Sequence, residues 1–194
     1  MKILLLRHAE TVWSLSGQHT GKTDIELTPA GKEQARATAA LFPRLLNGGA
    51  LDAVYSSPRR RALQTAELAL GSHGAPITTD LLAEFDYGDY EGLTAAEIQK
   101  RSPGWNFWTD GCPGGETMTE AASRADRFIE QLRARHRDHT VCAISHGHMI
   151  RILAARLLAL EPRQGSLFDI KTASIAELIA KNGAFVVSLW NLTA

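Results

Sequence analysis

The chain has 194 residues, 44% of them hydrophobic and 22% charged, with 21 Lys and Arg balanced by 21 Asp and Glu. That composition excludes disorder, and a net charge of zero supplies no global field for nucleic acid or a membrane surface. Two cysteines, Cys112 and Cys142, make no disulfide framework and suit a reducing cytoplasm; no leader peptide is expected, and no apolar run approaches the length of a membrane span.

Lys2-Ile3-Leu4-Leu5-Leu6 is a short apolar run that predicts a buried strand ending at Arg7-His8. Ligands of α/β proteins gather beyond the carboxyl ends of such strands, so a fixed cation and an imidazole stand at the mouth of a site. A polar loop is expected from about residue 10 to residue 27. Thr28-Pro29 reads as an N-cap followed by a first-turn proline, opening a helix toward residue 46 that Asn47-Gly48-Gly49 stops. A second strand is predicted over 51–56. Ser57-Pro58 repeats the cap-plus-proline signal and opens a helix to about residue 70. Arg59, Arg60 and Arg61 fall in its first turn, and since only residues three or four apart share a helix face, one or two of them at most can reach a pocket.

Thr94 with Glu97, and Thr117 with Glu120, have capping-box spacing and predict two more helices, the second reaching about residue 136. A strand over 141–145 then delivers His146-Gly147-His148, and a helix over 149–160 is limited by Pro162. The runs 173–180 and 184–192 flank Lys181-Asn182-Gly183 and predict an antiparallel hairpin. The expected fold is α/β: one domain over 1–194, a three-layer sandwich with a mostly parallel central sheet, the C-terminal hairpin, and a small lid insertion at about 85–118. Trp105, Phe107 and Trp108 lie in the Gly/Pro-rich part of that insertion and read as its own small core. His73, His136 and His139 read as surface residues.

Two strand-end histidines with arginines nearby describe a site for an anion, and phosphate fits it best. Helix N-termini favour the same ligand, which draws the arginines around position 60 into the argument. The acids of the stretch Glu84-Phe85-Asp86-Tyr87-Gly88-Asp89-Tyr90-Glu91 are an ordinary polar loop unless one of them supplies the proton that a leaving alkoxide needs.

Four separated segments resemble the histidine phosphatase superfamily, which includes cofactor-dependent phosphoglycerate mutases and many small phosphatases. They are Leu6-Arg7-His8-Ala9-Glu10-Thr11, the segment 56–66, the segment 82–92, and Ser145-His146-Gly147, in the family's order. The resemblance implies that His8 is a nucleophile forming a phosphohistidine. It implies that Arg7, Arg61 and a protonated His146 complete the phosphate pocket, that Glu84 is the proton donor, and that Gly147 lets backbone approach the phosphate. Neither metal nor cofactor is implied. The expected partner is a small phosphoester, a sugar phosphate fitting best, with no nucleic acid or membrane and with room for a homo-oligomer.

The sequence departs from the common family pattern in two places. Ala9 stands where glycine is usual after the histidine, tolerable if the backbone there avoids positive φ. Ser14 follows Trp13 where asparagine is usual, and keeps a shorter hydrogen-bonding reach to phosphate. The stretch from Trp13 to Asp24, and that from Trp105 to Cys112, are similar to a phosphatase branch that includes a sedoheptulose-bisphosphatase; His19 and Thr20 in the first are candidate substrate contacts. Mutase-type phosphoryl transfer and phosphoester binding without turnover remain alternatives. A further rival is a metallohydrolase using His146 and His148 as ligands, since that spacing occurs at metal sites.

Overall fold

The computed structural model describes residues 1–194, the side chain of Ser72 excepted. In chain order the elements are β1 (Lys2–Arg7), α1 (Val12–Ser16), α2 (Pro29–Thr38), α3 (Phe42–Leu46), β2 (Ala53–Ser56), α4 (Arg60–Leu70) and β3 (Ile77–Thr78). After them come α5 (Ala95–Arg101), α6 (Phe107–Asp110), α7 (Met118–Arg135), β4 (Thr140–Ser145), α8 (Gly147–Leu157), β5 (Ile175–Lys181) and β6 (Ala184–Leu192). The strands form one six-stranded sheet in the order β3-β2-β4-β1-β5-β6. β1 and β2 pair parallel with β4, and β3 parallel with β2, while β5 is antiparallel to both β1 and β6. The expected α/β sandwich with its antiparallel C-terminal pair is what the chain forms.

The period of two along β1 explains the layering. Ile3 and Leu5 join a cluster with Val141, Ala143, Phe128 of α7 and Ile150 of α8. Leu4 and Leu6 face the other way, toward Phe42 of α3, Ala66 of α4, Cys142 and Ile144. A strand buried on both faces must be apolar throughout, which is why Ile3-Leu4-Leu5-Leu6 carries no alternation. Residues 85–118 are continuous with the first cluster: Phe85, Tyr87, Tyr90, Ile98 and Phe107 belong to it, and Trp105 and Trp108 pack against it.

Both capping boxes form, Thr94 with Glu97 and Thr117 with Glu120, each Thr hydroxyl accepting from the Glu backbone N–H and each Glu carboxylate accepting from the Thr backbone N–H. Thr28 caps α2 with Pro29 in the first turn. Four expectations need correction. The helix toward residue 46 breaks at Thr38 into a 3-10 turn and α3, because Pro43 has no N–H to continue the ladder. The polar loop after β1 contains α1, closed by a Thr11–Ser14 capping box that a search for Glu or Gln at the third position does not find. α8 begins at Gly147, two residues earlier than expected, and ends at Leu157. Finally, α4 starts at Arg60 with Arg59 in the N-cap place, making no side-chain cap, and Ser57 Oγ accepts from the Arg59 N–H at 3.3 Å just ahead of the helix.

Candidate active site

The register of β1 and β4 builds the site. Arg7 pairs with Ser145, and the His8 N–H donates to the Ser145 carbonyl at 2.9 Å, so the two chains leave adjacent parallel strands side by side. The next side chains, His8 and His146, meet with ring centroids 5.1 Å apart.

His8 is buried, and its Nδ1 lies 2.7 Å from the Ala9 carbonyl oxygen. A carbonyl only accepts, so Nδ1 carries the proton and Nε2 keeps its lone pair. Burial, and then the charges of Arg61 and Arg7, hold the ring well below the usual histidine range, so it is neutral near pH 7. Ala9 is fully buried, donates its N–H to Thr65 Oγ1 at 3.0 Å, and is not among the residues with positive φ; the alanine is therefore unstrained.

Arg61 is fully buried, and among the described residues no acidic side chain forms an ion pair with it. Its Nη1 donates to the Thr23 carbonyl at 3.0 Å, its Nη2 to the Thr20 carbonyl at 2.8 Å, and its Nε to His146 Nδ1 at 3.1 Å. An Nδ1 that accepts has no proton. His146 is thus neutral, with Nε2–H directed at Ser57 Oγ, 2.7 Å away. Burial, followed by Arg61 and His8, pushes its pKa well below the ordinary value. The expected protonated His146 is corrected: the positive charge of the site resides on its arginines. Of the arginine triplet Arg61 meets His146, Arg60 pairs with Glu26 at the surface, and Arg59 borders an adjoining groove that Lys22, Asp86 and Glu84 also line.

Arg7 donates from Nη1 to the Ile170 carbonyl at 2.6 Å, and its buried Nε has no partner among the described residues. Burial lowers the Arg7 and Arg61 guanidiniums and Glu84 pulls both back up, so the carboxylate offsets part of the cost of burying two cations. Glu84 is anchored at the N-terminus of α8, where Oε1 accepts from the Phe85 and Met149 N–H groups at 2.9 Å and Oε2 from the His148 N–H at 3.2 Å.

These groups border a cavity of about 190 Å³. Arg7, His8, Glu84, Ser14, His19 and Thr20 line it, together with Gly147, whereas Arg61 and His146 lie fully buried beneath. A Cβ at Gly147 would stand 3.4 Å from Arg7 Cζ, so this glycine brings α8 against the guanidinium. Ser14 Oγ is committed to the α1 cap, accepting from the Thr11 N–H and donating to the Thr11 carbonyl, and reaches a ligand only by releasing that bond. His19 donates from Nδ1 to the Leu93 carbonyl at 2.8 Å, and Thr20 donates to the Gln18 carbonyl.

His146 and His148 have separate partners. His148 stacks on Phe107 with centroids 3.8 Å apart and shares a 2.6 Å hydrogen bond with Tyr87. No group of three or more His, Cys, Asp or Glu side chains able to hold a metal occurs among the described residues. Cavity residues that carried no role in the sequence reading are Trp13, Gly17, Gln18, Tyr87, Arg151, Asp169 and Ile170. Ser57 was legible only as a cap, although its place directly after a strand end was the available signal.

A family model described as histidine phosphatase superfamily (branch 1) matches residues 3–193. The chain belongs to that superfamily. Histidine phosphatases are enzymes of phosphomonoester hydrolysis, and the chain is one of them. It is 40% identical over 194 residues to an acid phosphatase of Mycobacterium tuberculosis, covering 99% of this chain and 93% of that one. It is 36% identical over 180 residues to the sedoheptulose 1,7-bisphosphatase of Saccharomyces cerevisiae, covering 79% and 66%. The solved structure of the product of open reading frame Rv3214 from Mycobacterium tuberculosis superposes with a TM-score of 0.92 at 41% identity, covering 99% and 97%. Among the described residues no helix is long and apolar enough to cross a membrane.

Proposed function

We propose that this histidine phosphatase hydrolyses a small phosphorylated metabolite, a sugar phosphate being the leading class, without a metal and through a phosphohistidine on His8. The observation that carries the reading is the His8 ring. Its Nδ1–H is spent on the Ala9 carbonyl and its pKa is driven down by burial and two guanidiniums, which leaves Nε2 as a neutral nucleophile beside a partnerless Arg7 Nε–H. The relative that acts on sedoheptulose 1,7-bisphosphate supports a sugar phosphate.

In the first step His8 Nε2 attacks phosphorus in line with the leaving oxygen; the N–P bond forms as the P–O bond breaks, and Glu84 gives the departing alkoxide its proton. Arg7 grips the phosphoryl oxygens and Arg61 adds positive charge close by, in a site where both are already fixed. In the second step the Glu84 carboxylate takes a proton from water as its oxygen attacks phosphorus, breaking the N–P bond and releasing phosphate. His146 stays neutral in this scheme and helps to hold Arg61 by accepting from its Nε. From the 85–118 segment Tyr87 reaches the cavity lining, where it would meet the leaving group. The two buried free cysteines, Cys112 and Cys142, fit a cytoplasmic setting.

The test is steady-state hydrolysis of p-nitrophenyl phosphate in excess EDTA, comparing the wild type with His8→Ala. Activity that survives EDTA and vanishes in the variant is the expected result. Activity lost to EDTA, activity retained by His8→Ala, or a folded wild type without turnover would each overturn the reading.

A further inference from the structure

Behind the nucleophile, one alanine holds a backbone conformation that alanine rarely adopts. Ala173 has φ +56° and is 5% exposed. The other non-glycine residues with positive φ have ordinary reasons for it. Asn47, Asn182 and Asn191 are of a type that tolerates the conformation, and Ala159 follows the end of α8, where helices commonly stop in it. Neither reason applies to Ala173. It stands third in the turn Lys171–Ser174, closed by the Ser174 N–H on the Lys171 carbonyl at 3.3 Å, a place that glycine ordinarily fills.

The conformation delivers one N–H to two carbonyls. The Ala173 N–H donates to the Arg7 oxygen and to the His8 oxygen, both at 3.2 Å. Thr65 Oγ1 takes the Ala9 N–H at 3.0 Å, so the peptide after His8 is held at its C=O by Ala173 and at its N–H by Thr65. The next group along, the Ala9 carbonyl, is the one that receives the His8 Nδ1–H. The turn is fastened in its own right. The buried Thr38 hydroxyl on α2 donates to the Ala173 carbonyl at 3.0 Å, and the Asn191 side chain accepts from the Lys171 N–H at 2.8 Å. The Ala173 methyl joins Ala9, Leu27 and Ala35 in a small apolar cluster. A turn that served only to lead into β5 would be at least as well built with glycine. Strain that its neighbours over-determine, set against a nucleophile, calls for a role at the site.

We propose that Ala173 is a positioning residue for phosphoryl transfer: its left-handed backbone fixes the His8–Ala9 peptide and, through the Ala9 carbonyl, the direction of His8 Nε2. The proposal rests on the reading of His8 as the nucleophile. Packed in its cluster, the methyl keeps the turn in one conformation. A glycine there has several within reach and swings its N–H off the two carbonyls, and in-line attack tolerates little misplacement.

The test sets reactivity against stability. The single-turnover rate of p-nitrophenol release from p-nitrophenyl phosphate reports attack by His8. Ala173→Gly relieves the φ strain and loses a buried methyl, two opposed effects, so its unfolding midpoint should stay within about 3 °C of the wild type. Its single-turnover rate should nonetheless fall about threefold to thirtyfold. Thr38→Val keeps the side-chain shape but takes the hydroxyl from the Ala173 carbonyl, and should lower the rate by a similar factor; Thr38→Ser restores the hydroxyl and should recover most of it. If Thr38→Val does not fold, Ala173→Gly decides. A wild-type rate in folded Ala173→Gly or in folded Thr38→Val would overturn the proposal, whatever the midpoints. A wild type without turnover, or turnover retained by His8→Ala, would overturn the nucleophile reading itself.

Discussion

Arg61 donates from Nε to Nδ1 of His146 at 3.1 Å, and that single bond decides the charge of the imidazole. With Nδ1 accepting, the only proton is on Nε2, where Ser57 Oγ takes it at 2.7 Å. A buried arginine, a neutral histidine and a buried serine thus form one hydrogen-bonded chain in which both His146 ring nitrogens have a partner.

Ser57→Ala removes the end of that chain. The Nε2–H of His146 is then buried without an acceptor, which costs about 1–3 kcal/mol. Urea unfolding at pH 7.5 should show a lower midpoint with an unchanged slope, and turnover should fall as His146 loosens. A midpoint equal to that of the wild type would mean that Ser57 does not hold the imidazole.

Acid should destabilise the fold earlier than its carboxylates alone would. His8, His146 and His148 are each pushed well below the ordinary histidine value, burial being the largest cause in all three. In the unfolded chain they titrate near pH ~6.5, so below that pH the unfolded state binds more protons than the native one. Their contribution is complete above about pH 6.5 and is lost on acidification, by up to about 1.4 kcal/mol per pH unit for each histidine. Unfolding free energies between pH 7.5 and 5 should show this slope, and His148→Phe should reduce it. A flat profile over that range would show that these rings take up protons in the folded state.

Glu84→Gln tests the proton donor. The amide oxygen can still accept from the Phe85 and Met149 N–H groups, but the amide loses the second acceptor, which faces the His148 N–H, and has no acidic proton. Alkyl phosphates, whose alkoxide must be protonated, should lose about 10²–10⁴-fold in kcat/KM, whereas p-nitrophenyl phosphate, whose leaving group departs unprotonated, should lose much less. Equal losses on both substrates would assign Glu84 to binding or folding.

Gly21→Ala reaches the site indirectly. A Cβ there would lie 2.4 Å from the Phe85 carbonyl and 2.8 Å from Glu91 Oε2. The Gly21 N–H donates to both Glu91 oxygens, at 2.9 and 3.0 Å, and the adjoining Thr20 carbonyl receives Arg61. Relieving the clash displaces this turn and the guanidinium with it, so about 1–3 kcal/mol of stability and a measurable part of kcat should go together. Thermal unfolding and turnover on one preparation check this; loss of stability with unaltered kcat would separate the turn from the site.

What was legible in the sequence follows from what is local. Apolar runs ending in Arg7-His8 and in Ser145-His146 announce their strands, and both capping boxes are three-residue patterns, so these were readable. The pairing of Arg7 with Ser145, which brings His8 to His146, depends on register across 138 residues of chain, and only the family resemblance implied it. The protonation of His146 was misread because it is set by one bond from a residue 85 positions away. Ser57 looked like a cap since Ser-Pro before a helix usually is one, yet Arg59 takes the cap place and the hydroxyl turns to the imidazole. Arg151 had no signal at all: an arginine on an amphipathic helix is ordinary until Trp108 and the turn after α8 fix it over the cavity.

The most direct test of the account is to trap the intermediate. Enzyme mixed with a phosphoester substrate is quenched in alkali within one turnover, digested, and mapped by mass spectrometry for phosphorylated peptide. The account predicts acid-labile, alkali-stable phosphate on Nε2 of His8, absent from His8→Ala and longer-lived in Glu84→Gln, which lacks the base for the second step. Phosphate on another residue, or burst-free turnover with no phosphoenzyme at any quench time, would contradict it.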